Sequence, residues 1–170
     1  MSPPSNIVLV GFMGTGKSAV GKRLSVRLQR AFLDTDALIA AAAGQTNPEI
    51  FAAEGEGGFR DRETALLRRL VGTTGAIIAT GGGVLGRDEN VALLRQIGSL
   101  VCLTARPAVI LERTRPWTDR PMLSQASDPL AAVEQLLRER APRYALAEVT
   151  IDTSDRSVEE VVEEICRRFK

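Results

Sequence analysis

Gly11-Phe12-Met13-Gly14-Thr15-Gly16-Lys17-Ser18 follows the spacing G-x-x-x-x-G-K-[ST], and these residue types at that spacing bind phosphate. Glycines let the backbone wrap closely, so that its N–H groups and the N-terminus of a following helix face an anion. The expected nucleotide contacts are Gly14, Thr15, Gly16, Lys17, Ser18 and Ala19. Lys17 reaches the β- and γ-phosphates, and the Ser18 hydroxyl ligates Mg²⁺. The flanks agree with this. Asn6 to Val10 reads as a buried strand and Lys17 to Arg30 as an amphipathic helix, the context the motif requires. The implied ligand is a nucleoside triphosphate.

Four further stretches carry chemistry. Asp34-Thr35-Asp36 closes the second strand-like run, at the edge where ligands bind in open α/β sheets. Asp34 is placed to hold Mg²⁺ through water and Asp36 to accept from a substrate hydroxyl; the competing role is to cap the next helix. Gly55 to Glu63 is a glycine-punctuated stretch in which Arg60 and Arg62 point to different faces. Such an arginine in a cleft suits a carboxylate, because the guanidinium fork is bidentate. For Arg62 the preferred reading is a solvated pair with a glutamate. Gly81-Gly82-Gly83 directly follows a strand, and three glycines there suggest that something approaches the backbone closely. Arg113 to Arg120 mixes arginines with Pro116 and Trp117, as a lid closing over a phosphoryl group does.

These groups need a frame. Strand-like runs at Ile7–Val10, Ala31–Leu33, Ala76–Thr80, Leu100–Thr104 and Val149–Ile151 alternate with helical patterns. The helical patterns are the one from Lys17, then Asp36–Ala43, Pro48–Glu54, Phe59–Val71, Glu89–Ile97, Pro107 to about Arg113, Pro129–Leu146 interrupted or ended near Pro142, and Val158–Phe169. Alternation of this kind predicts one α/β domain, a three-layer α/β/α arrangement around a parallel sheet.

Composition narrows the chemistry. The chain of 170 residues carries a net charge of +1, so no basic field points to nucleic acid or a membrane as partner. There is no histidine, which excludes a histidine base, ligand or triad and leaves carboxylates, arginines, Lys17, backbone amides and a metal. Cys102 and Cys166 lack metal spacing and read as reduced thiols. Met1 to Asn6 lacks the pattern of a signal peptide, and no apolar run is long enough to span a bilayer, so a cytoplasmic enzyme is expected.

Taken in order, these residues resemble the shikimate kinase family, in the nucleoside-monophosphate-kinase-like phosphate-loop superfamily. The matching pieces span nearly the whole chain. They are Gly11–Ser18, Asp34-Thr35-Asp36, Ile50-Phe51 leading to Gly55-Glu56 and Phe59-Arg60, and Gly81-Gly82-Gly83, then Arg120-Pro121-Met122-Leu123 and Arg140-Ala141-Pro142 with Tyr144. No piece beyond the loop is specific alone; their joint order is.

The resemblance implies a single P-loop kinase domain over 1–170, with a substrate-binding region at about 34–62, a lid at about 114–126 and a five-stranded parallel sheet of order 2-3-1-4-5. It implies transfer of the γ-phosphoryl group of ATP to the 3-hydroxyl of shikimate, with Mg²⁺, by a monomer on the route to chorismate and aromatic amino acids. Carried over by position, Lys17, Asp36 and Arg120 are catalytic, and Ser18 and Asp34 place the metal. Arg60, Arg140, Asp36 and the amides of Gly81, Gly82 and Gly83 bind shikimate, while Arg113 flanks the adenine and Arg120 also touches the nucleotide. Two departures stand out. Asn47-Pro48 reads as an N-cap followed by proline, predicting an altered helix start. Arg115-Pro116-Trp117-Thr118 is unusual for the lid. A gluconate kinase is the nearest rival, and a nucleotide-dependent switch is the rival of another class; no Asn-Lys-x-Asp guanine signature supports the latter.

Overall fold

Asn6–Gly11 forms β1, and every residue in it is buried. An apolar run without polar alternation is stable where both sheet faces are covered. That is its position, at the centre of a five-stranded parallel sheet of order β2-β3-β1-β4-β5. The other strands are β2 (Ala31–Asp34), β3 (Ala76–Ala79), β4 (Gly98–Thr104) and β5 (Val149–Asp152). The computed structural model describes residues 5–115 and 126–169. Arg120, Pro116 to Thr118 and nearly all of the expected lid therefore lie outside the described residues.

Side chains alternate across the sheet and meet a helical layer on each face. Val8, Val10, Ile78, Leu100 and Cys102 pack toward α3 (Asn47–Leu70), α4 (Asp88–Ile97), α5 (Pro107–Thr114) and α6 (Pro129–Tyr144). Ile7, Leu9, Ile77, Val101 and Leu103 pack toward α1 (Lys17–Leu28) and α7 (Val158–Arg168). Each large apolar side chain so buried contributes about 1.5–3 kcal/mol. A third, small cluster of Ile39, Ile50 and Phe59 joins α2 (Thr35–Ala43) to α3 on both sides of Gly55. It braces the segment that leaves the end of β2.

One local expectation changes and two hold. The expected helices Pro48–Glu54 and Phe59–Val71 are the two helical segments of α3, which meet at a kink where Gly55, with φ 70° and ψ -177°, leaves the helical conformation. Arg62 donates to both oxygens of Glu54 at 2.9 and 2.7 Å across this kink, and a Cβ on Gly58 would run into the Glu54 side chain. The glycines let two helical segments approach. The N-cap of α3 is Thr46, not Asn47, because Glu49 three residues on completes a capping box with it. Asn47 Nδ2 instead donates to the Asp36 carbonyl at 3.2 Å, tying the helix start to the end of β2. Finally, α6 ends at Tyr144, two residues past Pro142, which has no N–H to continue the helical ladder.

Candidate active site

The parallel strands present one carboxyl edge, and the loops leaving it bring the expected groups together. After β1, the phosphate loop turns into α1 at Gly16, whose φ of 100° favours glycine. Gly16 supplies no side-chain cap, and the first turn of α1 holds no acidic residue. Its leading N–H groups are thus left for an anion. Thr15 Oγ1 donates to Phe12 O at 2.7 Å and pins the loop on itself. Lys17 Nζ donates to Gly11 O at 2.6 Å and Phe12 O at 2.9 Å, so the ammonium lies across the loop. Gly14 through Ala19 line a cleft of about 530 Å³, with Asp34, Asp36, Gly81, Gly82 and Arg113 on its other walls.

Asp34 caps the next helix with one oxygen and turns the other to Ser18. Oδ1 accepts from Asp36 N at 3.0 Å and Ala37 N at 3.2 Å, capping α2. Oδ2 accepts from Ser18 Oγ at 3.2 Å. Neighbouring oxygens around an octahedral ion with bonds of about 2.1 Å stand about 3 Å apart. Ser18 and Asp34 are therefore a fitting pair of hard oxygen donors. Among the described residues no cluster of three or more histidine, cysteine or acidic side chains could hold a metal by itself. A small divalent cation shared with phosphates and water suits such a sparse site.

The acceptor-side residues gather where β3 ends. Thr80 Oγ1 donates to Leu9 O at 2.9 Å and fixes the start of the glycine run. A Cβ on Gly81 would lie 2.7 Å from Asp36 Oδ1 and 3.3 Å from Glu63 Oε2, and one on Gly83 would run into the Arg60 guanidinium. The suspected close approach is thus made by the side chains that surround the run. Arg140 Nη1 and Tyr144 OH both donate to Gly82 O, at 3.3 and 2.9 Å. The Arg140 guanidinium lies over the Phe12 ring, 5.3 Å from its centre. Arg60, Gly82, Gly83, Arg140 and Tyr144 line a second hollow of about 370 Å³. Gly82 lines both hollows, so the two meet there.

Glu63 is the residue that sequence reasoning missed. It is fully buried, and Oε1 accepts from Arg60 Nη1 at 2.9 Å. Among the described residues, Oε2 has no hydrogen-bond partner. A signal was present: Phe59, Glu63, Leu67 and Leu70 share a helical stripe, and an acid in an otherwise apolar stripe needs a partner. Burial, helped by the nearby Asp36 carboxylate, raises the Glu63 carboxyl above the usual glutamate range, while Arg60 opposes the rise. Between the ordinary and raised values the native state keeps a proton that the unfolded chain has released. The group's contribution to stability accordingly falls as pH rises through that interval. Glu63→Gln removes this titration. In urea unfolding from about pH 4 to pH 8, the variant should gain stability relative to wild type as pH rises. A difference independent of pH would contradict the assignment.

Arg113, expected beside the adenine, lines the first cleft and is anchored at three points. Its guanidinium donates to Gly14 O at 3.2 Å, Thr153 Oγ1 at 3.0 Å and Thr153 O at 2.9 Å. Arg62 points away, into its pair with Glu54, as the solvated reading expects. Among the described residues no helix is long and apolar enough to cross a membrane.

Known proteins match this arrangement. The shikimate kinase family profile covers residues 13–170. A shikimate kinase of Pelotomaculum thermopropionicum is 46% identical over 165 residues, covering 97% of this chain and 95% of that protein. A solved shikimate kinase from Acinetobacter baumannii in complex with shikimate has a TM-score of 0.91 and 38% identity, covering 97% of this chain and 92% of that one. A gluconokinase from Sinorhizobium meliloti shares the architecture at a TM-score of 0.62 but only 20% identity, over 99% of this chain and 95% of that one, and so speaks to fold alone. A match of this depth over nearly the full length decides between the two acids: the chain belongs to the shikimate kinase family.

Proposed function

We propose that the chain moves the γ-phosphoryl group of ATP to the 3-hydroxyl of shikimate, giving shikimate 3-phosphate for chorismate and aromatic amino acid synthesis. The observation that carries this reading is the meeting of the two hollows at Gly82, one walled by the phosphate loop and the other by Arg60 and Arg140. Arg60 and Arg140 hold the substrate carboxylate, and Asp36 with the amides of Gly81, Gly82 and Gly83 holds its hydroxyls. Phosphoryl transfer proceeds through a loose transition state, so positioning and charge neutralisation do most of the work. Asp36 orients the attacking hydroxyl and receives its hydrogen. Lys17 stabilises the charge that grows on the phosphoryl oxygens, and Arg120 is assigned to the same oxygens by its place in the sequence.

Ser18 and Asp34 would hold Mg²⁺, which when bound neutralises charge on the phosphates. The domain comprises a phosphate-loop body, a substrate-binding region at about 34–62 and a lid at about 114–126. The enzyme acts as a cytoplasmic monomer without nucleic acid or membrane partners. In support, Cys102 and Cys166 are free thiols, and burial pushes Cys102 up to about 11, so it stays uncharged at neutral pH. Among the described residues, the exposed large apolar side chains are divided among α1, α3 and its end, α6 and α7.

Product analysis tests the regiochemistry. With ATP, Mg²⁺ and shikimate, phosphorus-coupled NMR of the product should show a single ester at the 3-hydroxyl, and chelation by EDTA should stop its formation. An ester at another ring hydroxyl would mean that the acceptor lies in a different orientation. Undiminished turnover in EDTA would remove the metal role given to Ser18 and Asp34.

A further inference from the structure

We propose that Thr153 is a positioning residue of the donor site: with Arg113, its hydroxyl turns two consecutive peptide groups of the phosphate loop so that their N–H groups face the nucleotide phosphates. The proposal rests on the reading that ATP binds in this loop.

Thr153 directly follows β5 and is 3% exposed. Its Oγ1 lies 2.9 Å from Thr15 O and 3.1 Å from Thr104 O, and it accepts from Arg113 Nη1 at 3.0 Å. A hydroxyl has one proton to donate and two lone pairs. Thr104 O already receives the Thr153 backbone N–H at 2.8 Å. The acceptor in greater need of the hydroxyl proton is therefore Thr15 O. The join between β5 and β4 is made by backbone, so the hydroxyl is spare for the loop.

The consequence follows from peptide planarity. In a trans peptide the C=O and the next N–H point in opposite directions. With Thr15 O turned to the Thr153 hydroxyl, the Gly16 N–H points away from β5. Arg113 does the same one residue earlier, since Nη1 donates to Gly14 O at 3.2 Å and so sends the Thr15 N–H away. Thr15 and Gly16 both line the cleft beside Lys17 and Ser18. The loop's anion-binding amides are thus aimed by a side chain that stands beside the loop on the wall of the same cleft. Arg113 in turn holds the Thr153 hydroxyl and carbonyl, which makes the three groups one unit.

Calorimetric titration of the full chain with Mg·ADP, and separately with shikimate, tests this. Thr153→Ala, which deletes the hydroxyl, should weaken Mg·ADP binding about tenfold, the scale of about one lost hydrogen bond. Thr153→Ser, which keeps the hydroxyl and loses only the methyl, should bind within about twofold of wild type. Shikimate affinity should be unchanged in both. If Thr153→Ala does not fold, Thr153→Val repeats the deletion with the volume retained. Wild-type-like Mg·ADP affinity in the folded deletion variant would overturn the proposal. So would a serine variant as weak as alanine, or a parallel loss of shikimate affinity, because each makes the residue merely structural. Failure of wild type itself to bind Mg·ADP would instead overturn the donor-site reading, and Thr153 with it.

Discussion

Lys17→Ala is expected to lower kcat by about 10²- to 10³-fold while changing the shikimate KM little, the loss seen when one donor to developing charge is removed from a pre-organised site. The ammonium is held by Gly11 O and Phe12 O at 2.6 and 2.9 Å, so it is aimed before any ligand arrives. Charge accumulates on the phosphoryl oxygens mainly in the transition state, and an interaction made there affects kcat rather than acceptor binding. Steady-state kinetics at saturating ATP, with a thermal melt to establish folding, gives the comparison. A fall in kcat below tenfold with a large rise in shikimate KM would place Lys17 on the wrong half of the site.

The second large effect is expected at the other end of the acceptor. Arg140→Ala should raise the shikimate KM about 100-fold, or roughly 3 kcal/mol, which is typical when one partner of a partly buried charged contact is truncated. The ATP KM should move little. Arg140 is fixed over the Phe12 ring and donates to Gly82 O, so its guanidinium is oriented rather than loosely solvated. Arg140→Lys should recover only part of the loss, since an ammonium lacks the bidentate fork. Unchanged shikimate KM in Arg140→Ala would show that the carboxylate binds elsewhere.

The donor half was legible because its chemistry is local. A phosphate loop states its strand, turn and helix within a few residues, and the structure has all three. The sheet was legible from apolar runs such as Ile7–Val10, which suit strands covered on both faces, as in a parallel sheet between helical layers. Its order 2-3-1-4-5 was not contained in any one segment and came from the family resemblance.

What local pattern hid was longer in range. The break at Gly55 was legible, but the pair Arg62–Glu54 that closes it spans eight residues and was not. Thr46 and Asn47 are both good caps, and only Glu49 distinguishes them. Asp34 was read as either a cap or a metal group; one oxygen caps α2, and the other accepts from Ser18, the partner expected beside the metal. Glu63 sat in plain view as a partner of Arg60 three residues away, yet its complete burial, which makes it consequential, depends on how α3 packs. Thr153 gave no signal at all. A threonine at a strand end is ordinary until the phosphate loop is found to lean on it, 138 residues away in sequence.

ADP release measured by a coupled assay with ATP, Mg²⁺ and a panel of shikimate, quinate and gluconate tests the central claim most directly. Turnover that depends on shikimate, with quinate and gluconate far weaker, is the expected result. Folded protein that releases no ADP with shikimate, or that prefers gluconate, would contradict it.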